Sequence, residues 1–178
     1  MIKVDSNTCL ELIDDNHIQP IFELIDTNRT HLREWLSFVD KIETVEFAET
    51  FVKSTMQKNK EGIEYAFVII HYEKVIGRIG IYKIDLQNKI GEIGYWLAED
   101  SQRKGIITKS CQVIIDFCFS KLQLNRVEIK CGTENFKSQS IPEKLNFKKE
   151  GILRQGELLY DQFIDLNLYS MLKSDFIK

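Results

Sequence analysis

The chain has 178 residues, 43% of them hydrophobic, enough to bury one sizeable core and too few for two, so a single domain over residues 1–178 is expected. A net charge of -3 and a pI near 5.7 provide no basic stripe for a phosphate backbone, which excludes nucleic acid as the main partner. Met1-Ile2-Lys3-Val4-Asp5 has no apolar signal core and the longest apolar run, residues 66–70, is too short for a bilayer, so a cytoplasmic protein without a membrane partner is predicted.

Residues 8–14 alternate apolar with polar and predict a first strand, with Asp14 or Asp15 placed to cap the helical segment after it. Over 17–36 the positions Ile18, Ile21, Phe22, Ile25, Leu32, Trp35 and Leu36 suit a helix broken near Asp26-Thr27-Asn28. A second helix is predicted over 44–60, ended by Gly62. Residues 64–71, 74–84 and 89–98 read as three strands of an antiparallel meander, with a tight turn at Tyr72-Glu73. Gly77, Gly80, Gly91 and Gly94 punctuate them and predict bulges or close backbone approaches. A helix over 104–121, apolar on most sides, should lie between the sheet and another layer. A strand over 126–131, a short helix over 138–145 with Pro142 in its first turn, and strands over 147–154 and 163–172 complete the chain. The expected architecture is α/β (α+β), with helices on both faces of a mixed sheet.

Cys9, Cys111, Cys118 and Cys131 form no Cys-x-x-Cys pair, and His17, His31 and His71 do not fall beside them at ligand spacing, so reduced thiols and no metal are expected. The chemistry concentrates where the third meander strand ends. Ile93-Gly94-Tyr95-Trp96-Leu97 leads through Glu99-Asp100-Ser101 into Gln102-Arg103-Lys104-Gly105, which opens a helix. The first turn of a helix has N–H groups without partners and the positive end of the dipole, Gly105 lets a ligand approach the backbone, and Arg103 and Lys104 add charge. A strand, a loop and a helix arranged this way make a phosphate cradle.

The segment Gln102-Arg103-Lys104-Gly105-Ile106-Ile107-Thr108 resembles the pyrophosphate loop of the GNAT N-acetyltransferases. With Ile107 where many members carry Gly or Ala, it is similar to the RimJ and RimL branch, which acetylates ribosomal proteins. Asn135-Phe136-Lys137-Ser138, followed by Leu145-Asn146-Phe147, is similar to a second family segment, with Asn146 in place of the usual Gly and able to hold the same left-handed turn. Asn28-Arg29-Thr30-His31-Leu32-Arg33-Glu34-Trp35-Leu36 is similar to a stretch that helps wall the substrate groove in that branch. The resemblance spans nearly the whole chain and implies the GNAT fold, a mostly antiparallel sheet with helices on both faces. It implies acetyl-CoA as co-substrate, held by Trp96, Leu97, Gln102, Arg103, Lys104, Gly105, Ile106, Ile107, Thr108, Asn135 and Ser138, and acceptor contacts from Arg33, Trp35 and Tyr95.

By the same resemblance Ser138 protonates or hydrogen-bonds the departing thiolate, while its plain alternative, with Asn135, is a helix cap. Two carboxylates compete as base: Glu157 in Gln155-Gly156-Glu157, as in the RimL type and preferred here, and Glu92 on the strand before the cradle, as in other branches. Either alternatively is an exposed surface carboxylate. An α-amine, with a pKa of about 8, is easier to deprotonate than a lysine at about 10.4, so a peptide or protein N-terminus is the expected acceptor. The oxyanion of direct transfer calls for a free backbone N–H, expected beside a bulge in the stretch from Tyr95 to Leu97. The alternatives are a small amine as acceptor, or a module that binds acyl-CoA without turnover. An exposed apolar strand near the C-terminus permits a homodimer.

Overall fold

The computed structural model describes residues 1–176. Eight strands, β1 (Ile2–Lys3), β2 (Thr8–Leu12), β3 (Tyr65–His71), β4 (Lys74–Asp85), β5 (Ile90–Leu97), β6 (Arg126–Gly132), β7 (Lys148–Leu159) and β8 (Gln162–Leu172), form one sheet in the order β1-β2-β3-β4-β5-β6-β8-β7. Every neighbouring pair is antiparallel except β5 and β6, which run parallel. A parallel pair needs a crossover, and helix α4 (Ile106–Asp116) with a π turn over Phe117–Lys121 supplies it.

The continuous apolar run of β3 has a simple cause: both of its faces are buried. Ala66 and Val68 point to one cluster with Ile21 and Ile25 of α1 (Ile18–Thr27) and Ala48 and Val52 of α3 (Val45–Glu61), while Phe67 and Ile69 point to the other, with Cys111, Ile114 and Ile115 of α4. Alternate residues of a strand face opposite sides, so β5 divides the same way: Ile93 and Tyr95 lie with the α4 layer and Trp96 with the α1 and α3 layer. Cys111 and Cys118, seven residues apart, are both fully buried in the α4 cluster.

Local chemistry explains the joints. Tyr72 and Glu73 take φ 47° and 63°, the left-handed pair that matches the twist of a two-residue hairpin. Between α1 and α2 (Arg29–Arg33) the helix breaks at Asn28, and α3 ends on Gly62 at φ 69°. At Gly77 a side chain has no room, since a Cβ would stand 2.3 Å from the Trp96 carbonyl oxygen of the paired strand. The helix expected to start at 138 instead runs Phe136–Lys144 as α5, capped by Asn135, whose Oδ1 accepts from the Ser138 N–H at 3.1 Å. Pro142 therefore falls near its C-terminal end, not in its first turn, and has no N–H to give to the carbonyl of Ser138 four residues back. Asn146, at φ 61°, closes this helix as expected: its N–H donates to Glu143 O at 3.1 Å and the Phe147 N–H to Pro142 O at 2.9 Å.

The strand expected over 147–154 is longer in the structure, where β7 continues to Leu159. A register shift between Leu153 and Glu157 absorbs extra residues there, with Gln155 at φ 50° and its N–H donated to Asp165 Oδ1 at 2.7 Å.

Candidate active site

β5 and β6 pair only over Ile90–Glu92 and Arg126–Glu128, although β5 continues to Leu97 and β6 to Gly132. Beyond that point the sheet opens into a wedge. Main-chain polar groups of β5 alternate sides: the Ala98 N–H donates to Ile76 of β4, and the Lys89 carbonyl accepts from Asn125 and Arg126 on the β6 side. That alternation turns the N–H groups of Tyr95 and Leu97 into the wedge. The expected bulge in this part of β5 is absent; its register with β4 is regular from Gly77↔Leu97 to Tyr82↔Glu92. Strand divergence, not a bulge, makes the free donors.

At the mouth of the wedge lies the loop into α4. Arg103 and Gly105 both take left-handed backbone, φ 61° and 73°. Among the described residues, the consecutive N–H groups of residues 103–108 have no acceptor in the protein; the first helical bond is Lys109 N–H to Gly105 O at 3.1 Å. A Cβ on Gly105 would meet nothing within 4 Å, so the space beside that residue is open. Arg103 and Lys104 are exposed, Thr108 is half-buried, and Ile106 is buried in the core with Ile107 packed against it. Main-chain donors and two exposed cations are a set that could hold a diphosphate. Gln102 turns its side chain to His31, with 2.7 Å between its Nε2 and the His31 Nε2, and the Glu99 N–H donates to Asn28 Oδ1 at 3.0 Å. Helix α2 thus buttresses the loop.

Comparison with known proteins agrees with this geometry. The family described as the acetyltransferase (GNAT) domain matches residues 7–148. The chain belongs to the GNAT acetyltransferase family. It is 33% identical over 169 residues to the ribosomal-protein-serine acetyltransferase of Escherichia coli (strain K12), covering 95% of this chain and 94% of that one. Among solved structures, RimL, a ribosomal L7/L12 alpha-N-protein acetyltransferase held with coenzyme A as a disulfide to one of its cysteines, matches with a TM-score of 0.93 at 25% identity, over 98% of both chains. The microcin C7 self-immunity acetyltransferase MccE, in complex with acetyl-CoA and AMP, matches at 0.91 and 26% identity, over 96% of this chain and 95% of that one.

Within this GNAT site the two faces of the wedge carry different chemistry. On the α4 and α5 face, Ser138 Oγ lies 3.3 Å from Tyr95 Oη and 3.3 Å from Cys131 Sγ, and Tyr95 Oη donates to the Ser138 carbonyl at 3.0 Å. Burial raises the Tyr95 phenol well above its ordinary value and pushes the Cys131 thiol up to about 11, so both stay protonated. Tyr95, expected to touch the acceptor, instead packs beside Ser138. Gln139, which no sequence motif marks, is buried and clamps the end of β6: its Nε2 donates to Gly132 O at 3.0 Å and Thr133 O at 2.8 Å, and its Oε1 accepts from Asn167 Nδ2 at 2.8 Å.

On the other face stand the two carboxylates. Glu92 Oε2 accepts from Lys130 Nζ at 2.8 Å and Lys83 Nζ at 3.1 Å. Glu157 has no ion-pair partner among the described residues. Glu157 is exposed to water, and partial desolvation by the surrounding protein first, then the charge of Glu92, raises its carboxyl above the ordinary range, with Lys83 opposing. Arg33, expected to hold the acceptor, gives its Nε to both oxygens of Asp40, at 2.8 and 2.9 Å, and lies 4.5 Å over the Tyr160 ring. Trp35 is half-buried against Gly132, where a Cβ would come within 2.8 Å of its ring, and so it lines the end of β6. Trp96 and Leu97 send their side chains into the two cores; by the same alternation the Leu97 N–H faces the wedge, whereas the Trp96 main chain is turned to β4.

Proposed function

We propose that the chain is a cytoplasmic, acetyl-CoA-dependent N-acetyltransferase that moves the acetyl group directly to the N-terminal α-amine of a protein or peptide, in the ribosomal-protein class. The observation that carries this reading is the row of N–H groups at 103–108 that have no acceptor among the described residues, with open space at Gly105 and the parted strands beside it. These donors, with Arg103 and Lys104, would hold the diphosphate, and Asn135 would fix the turn past which the pantetheine arm runs. In the relative RimL the coenzyme sulfur is bonded to a cysteine. In this chain Cys131 and Ser138 lie side by side at the end of the wedge, which supports a sulfur position there.

Chemically, the residues divide the work. Glu157, without a cationic partner and with its carboxyl raised, accepts the proton of the attacking amine. Glu92, already accepting from two lysines, is the poorer base. The N–H groups of Tyr95 and Leu97 stabilise the oxyanion, a contribution of about 3 kcal/mol for a well-placed donor. Ser138 donates to the departing thiolate. No covalent enzyme intermediate is needed.

The test is thiol release from acetyl-CoA with a panel of ribosomal-protein N-terminal peptides, the same peptides with blocked α-amines, polyamines and aminoacyl nucleotides. Release that depends on a free α-amine supports the proposal. Preference for a polyamine or for an amine carried on a nucleotide, an arm included because MccE is seen with AMP, would move the acceptor to a small amine. Heat of coenzyme A binding without release for any acceptor would leave a binding module.

A further inference from the structure

We propose that Tyr95 is a positioning residue for Ser138, and that Pro142 is the reason it can be one. The starting point is a deficit in α5. A residue inside a helix normally gives its N–H to the carbonyl four positions back; Pro142 has none, and its ring crowds that carbonyl outward. The carbonyl concerned belongs to Ser138. A part-buried carbonyl left without a donor is costly, so something must replace the missing N–H. The Tyr95 hydroxyl does so, donating at 3.0 Å from the neighbouring β5.

This choice fixes the rest of the local network. Having spent its one proton on the carbonyl, the phenol presents only lone pairs to Ser138 Oγ at 3.3 Å, so without the coenzyme that bond runs from serine to tyrosine, and the hydroxyl rotates about its C–O bond to give the same proton to the departing thiolate. The Ser138 N–H is already given to Asn135 Oδ1 at 3.1 Å. The backbone acceptor and the hydroxyl of Ser138 are thus both held by Tyr95 of β5, and its backbone donor by Asn135 at the cap of α5. The phenol itself is a poor proton source, because burial holds its pKa well above the ordinary value. Its part is to aim the serine. A helix with a normal residue at 142 would bond the carbonyl internally and leave no such anchor.

The inference rests on the proposed role of Ser138 toward the thiolate, and two cycles separate the ideas. In the first, turnover is measured for Tyr95→Phe, Ser138→Ala and the double variant. The expected result is a loss of about ten-fold in kcat for Tyr95→Phe with KM for acetyl-CoA unchanged, and no further loss when it is added to Ser138→Ala, as for residues that act as a unit. Losses that multiply, or full activity of Ser138→Ala, would overturn it. The second cycle reads melting temperature without reference to activity. Tyr95→Phe should lower Tm by ~4 °C, and Pro142→Ala, which restores an N–H for the Ser138 carbonyl, should recover most of that loss in the Tyr95→Phe background while giving little in the wild type. Equal effects of Pro142→Ala in both backgrounds would show that Tyr95 does not replace the missing donor, whereas a coupled melting cycle with an inert Ser138→Ala would locate the failure in the function of the serine.

Discussion

Two reasons can make a residue at 105 intolerant of change, and the structure separates them. The backbone sits at φ 73°, where a β-branched side chain costs about 1–2 kcal/mol, but nothing in the protein lies within 4 Å of a Cβ there. Asn tolerates left-handed backbone, so Gly105→Asn should fold with little change in melting temperature and yet raise KM for acetyl-CoA by about ten-fold, because its side chain occupies the space before the N–H row. Unchanged KM with unchanged Tm would remove the cradle from the mechanism. Glu157 is the other residue whose environment decides its use. A carboxyl whose folded pKa is raised binds its proton more tightly than an ordinary glutamate, which favours proton transfer from the amine, and the site loses this base as pH falls through that raised value. Glu157→Gln should lower kcat by ~100-fold and leave KM for acetyl-CoA alone, while Glu92→Gln, by removing the charge that helps raise Glu157, should move the acidic limb of the rate profile to lower pH. If Glu92→Gln is the more damaging of the two, the assignment of the base reverses.

At the scale of elements, the hairpin of β7 and β8 reaches across to the start of the fold. Tyr160, at its tip, donates from Oη to the Leu36 carbonyl at 3.0 Å and receives the Arg33 guanidinium over its ring. Tyr160→Phe keeps the ring and loses one hydrogen bond, about 1 kcal/mol. Thermal melts should fall by a few degrees, and KM for a peptide acceptor should rise more than KM for acetyl-CoA if this hairpin walls the acceptor groove; equal changes would make it a structural tie only. The same hairpin shows where sequence reading stops. Strands, helices and the glycine turn into α4 were legible because apolar periodicity and glycine placement are local: β3 to β5 and the break at Asn28 follow from neighbouring residues, while the left-handed Asn146 follows from the likeness to a family segment that carries Gly there. Not legible were the parting of β5 from β6, which depends on pairing between distant segments, and the register shift at Gln155 and Gly156, whose only local sign was the glycine. Nor could spacing show that Asp40 occupies Arg33 or that Tyr95 turns toward α5, since both depend on which layer a residue faces. The first-turn preference of proline puts the start of α5 too late, because the side chain of Asn135 caps the helix and fixes its start at Phe136.

Across the whole molecule, the β5 to β7 part of the sheet is fastened by charge where no helix of the first layer supplies apolar cover. Glu92 of β5 meets Lys130 of β6; Arg126 of β6 binds Glu128 at 2.8 Å and reaches past β8 to Glu150 of β7 with two bonds of 2.8 and 2.7 Å, and Ser170 of β8 adds a third to Glu150 at 2.6 Å. The parallel register sets Glu92 opposite Glu128, a repulsive pair that Lys130 bridges from between them. A sheet parted at one end needs its other end held, and these contacts cross the strands that flank the wedge. Their pH dependence has a definite sign. The Arg126 guanidinium first, and the Ser170 hydroxyl second, hold the Glu150 carboxyl down at about 2, below the ordinary glutamate value near 4.3. A carboxyl with a lowered folded pKa stabilises the fold fully above its unfolded value and loses that contribution as pH falls toward its folded value. Glu150 is partly exposed, so solvent screening keeps the size of the effect modest. Melting temperature followed from pH 5 to about 2 should therefore fall more steeply in the wild type than in Glu150→Gln, the two curves converging at the acid end; parallel curves would mean that this fastening contributes nothing to the folded sheet.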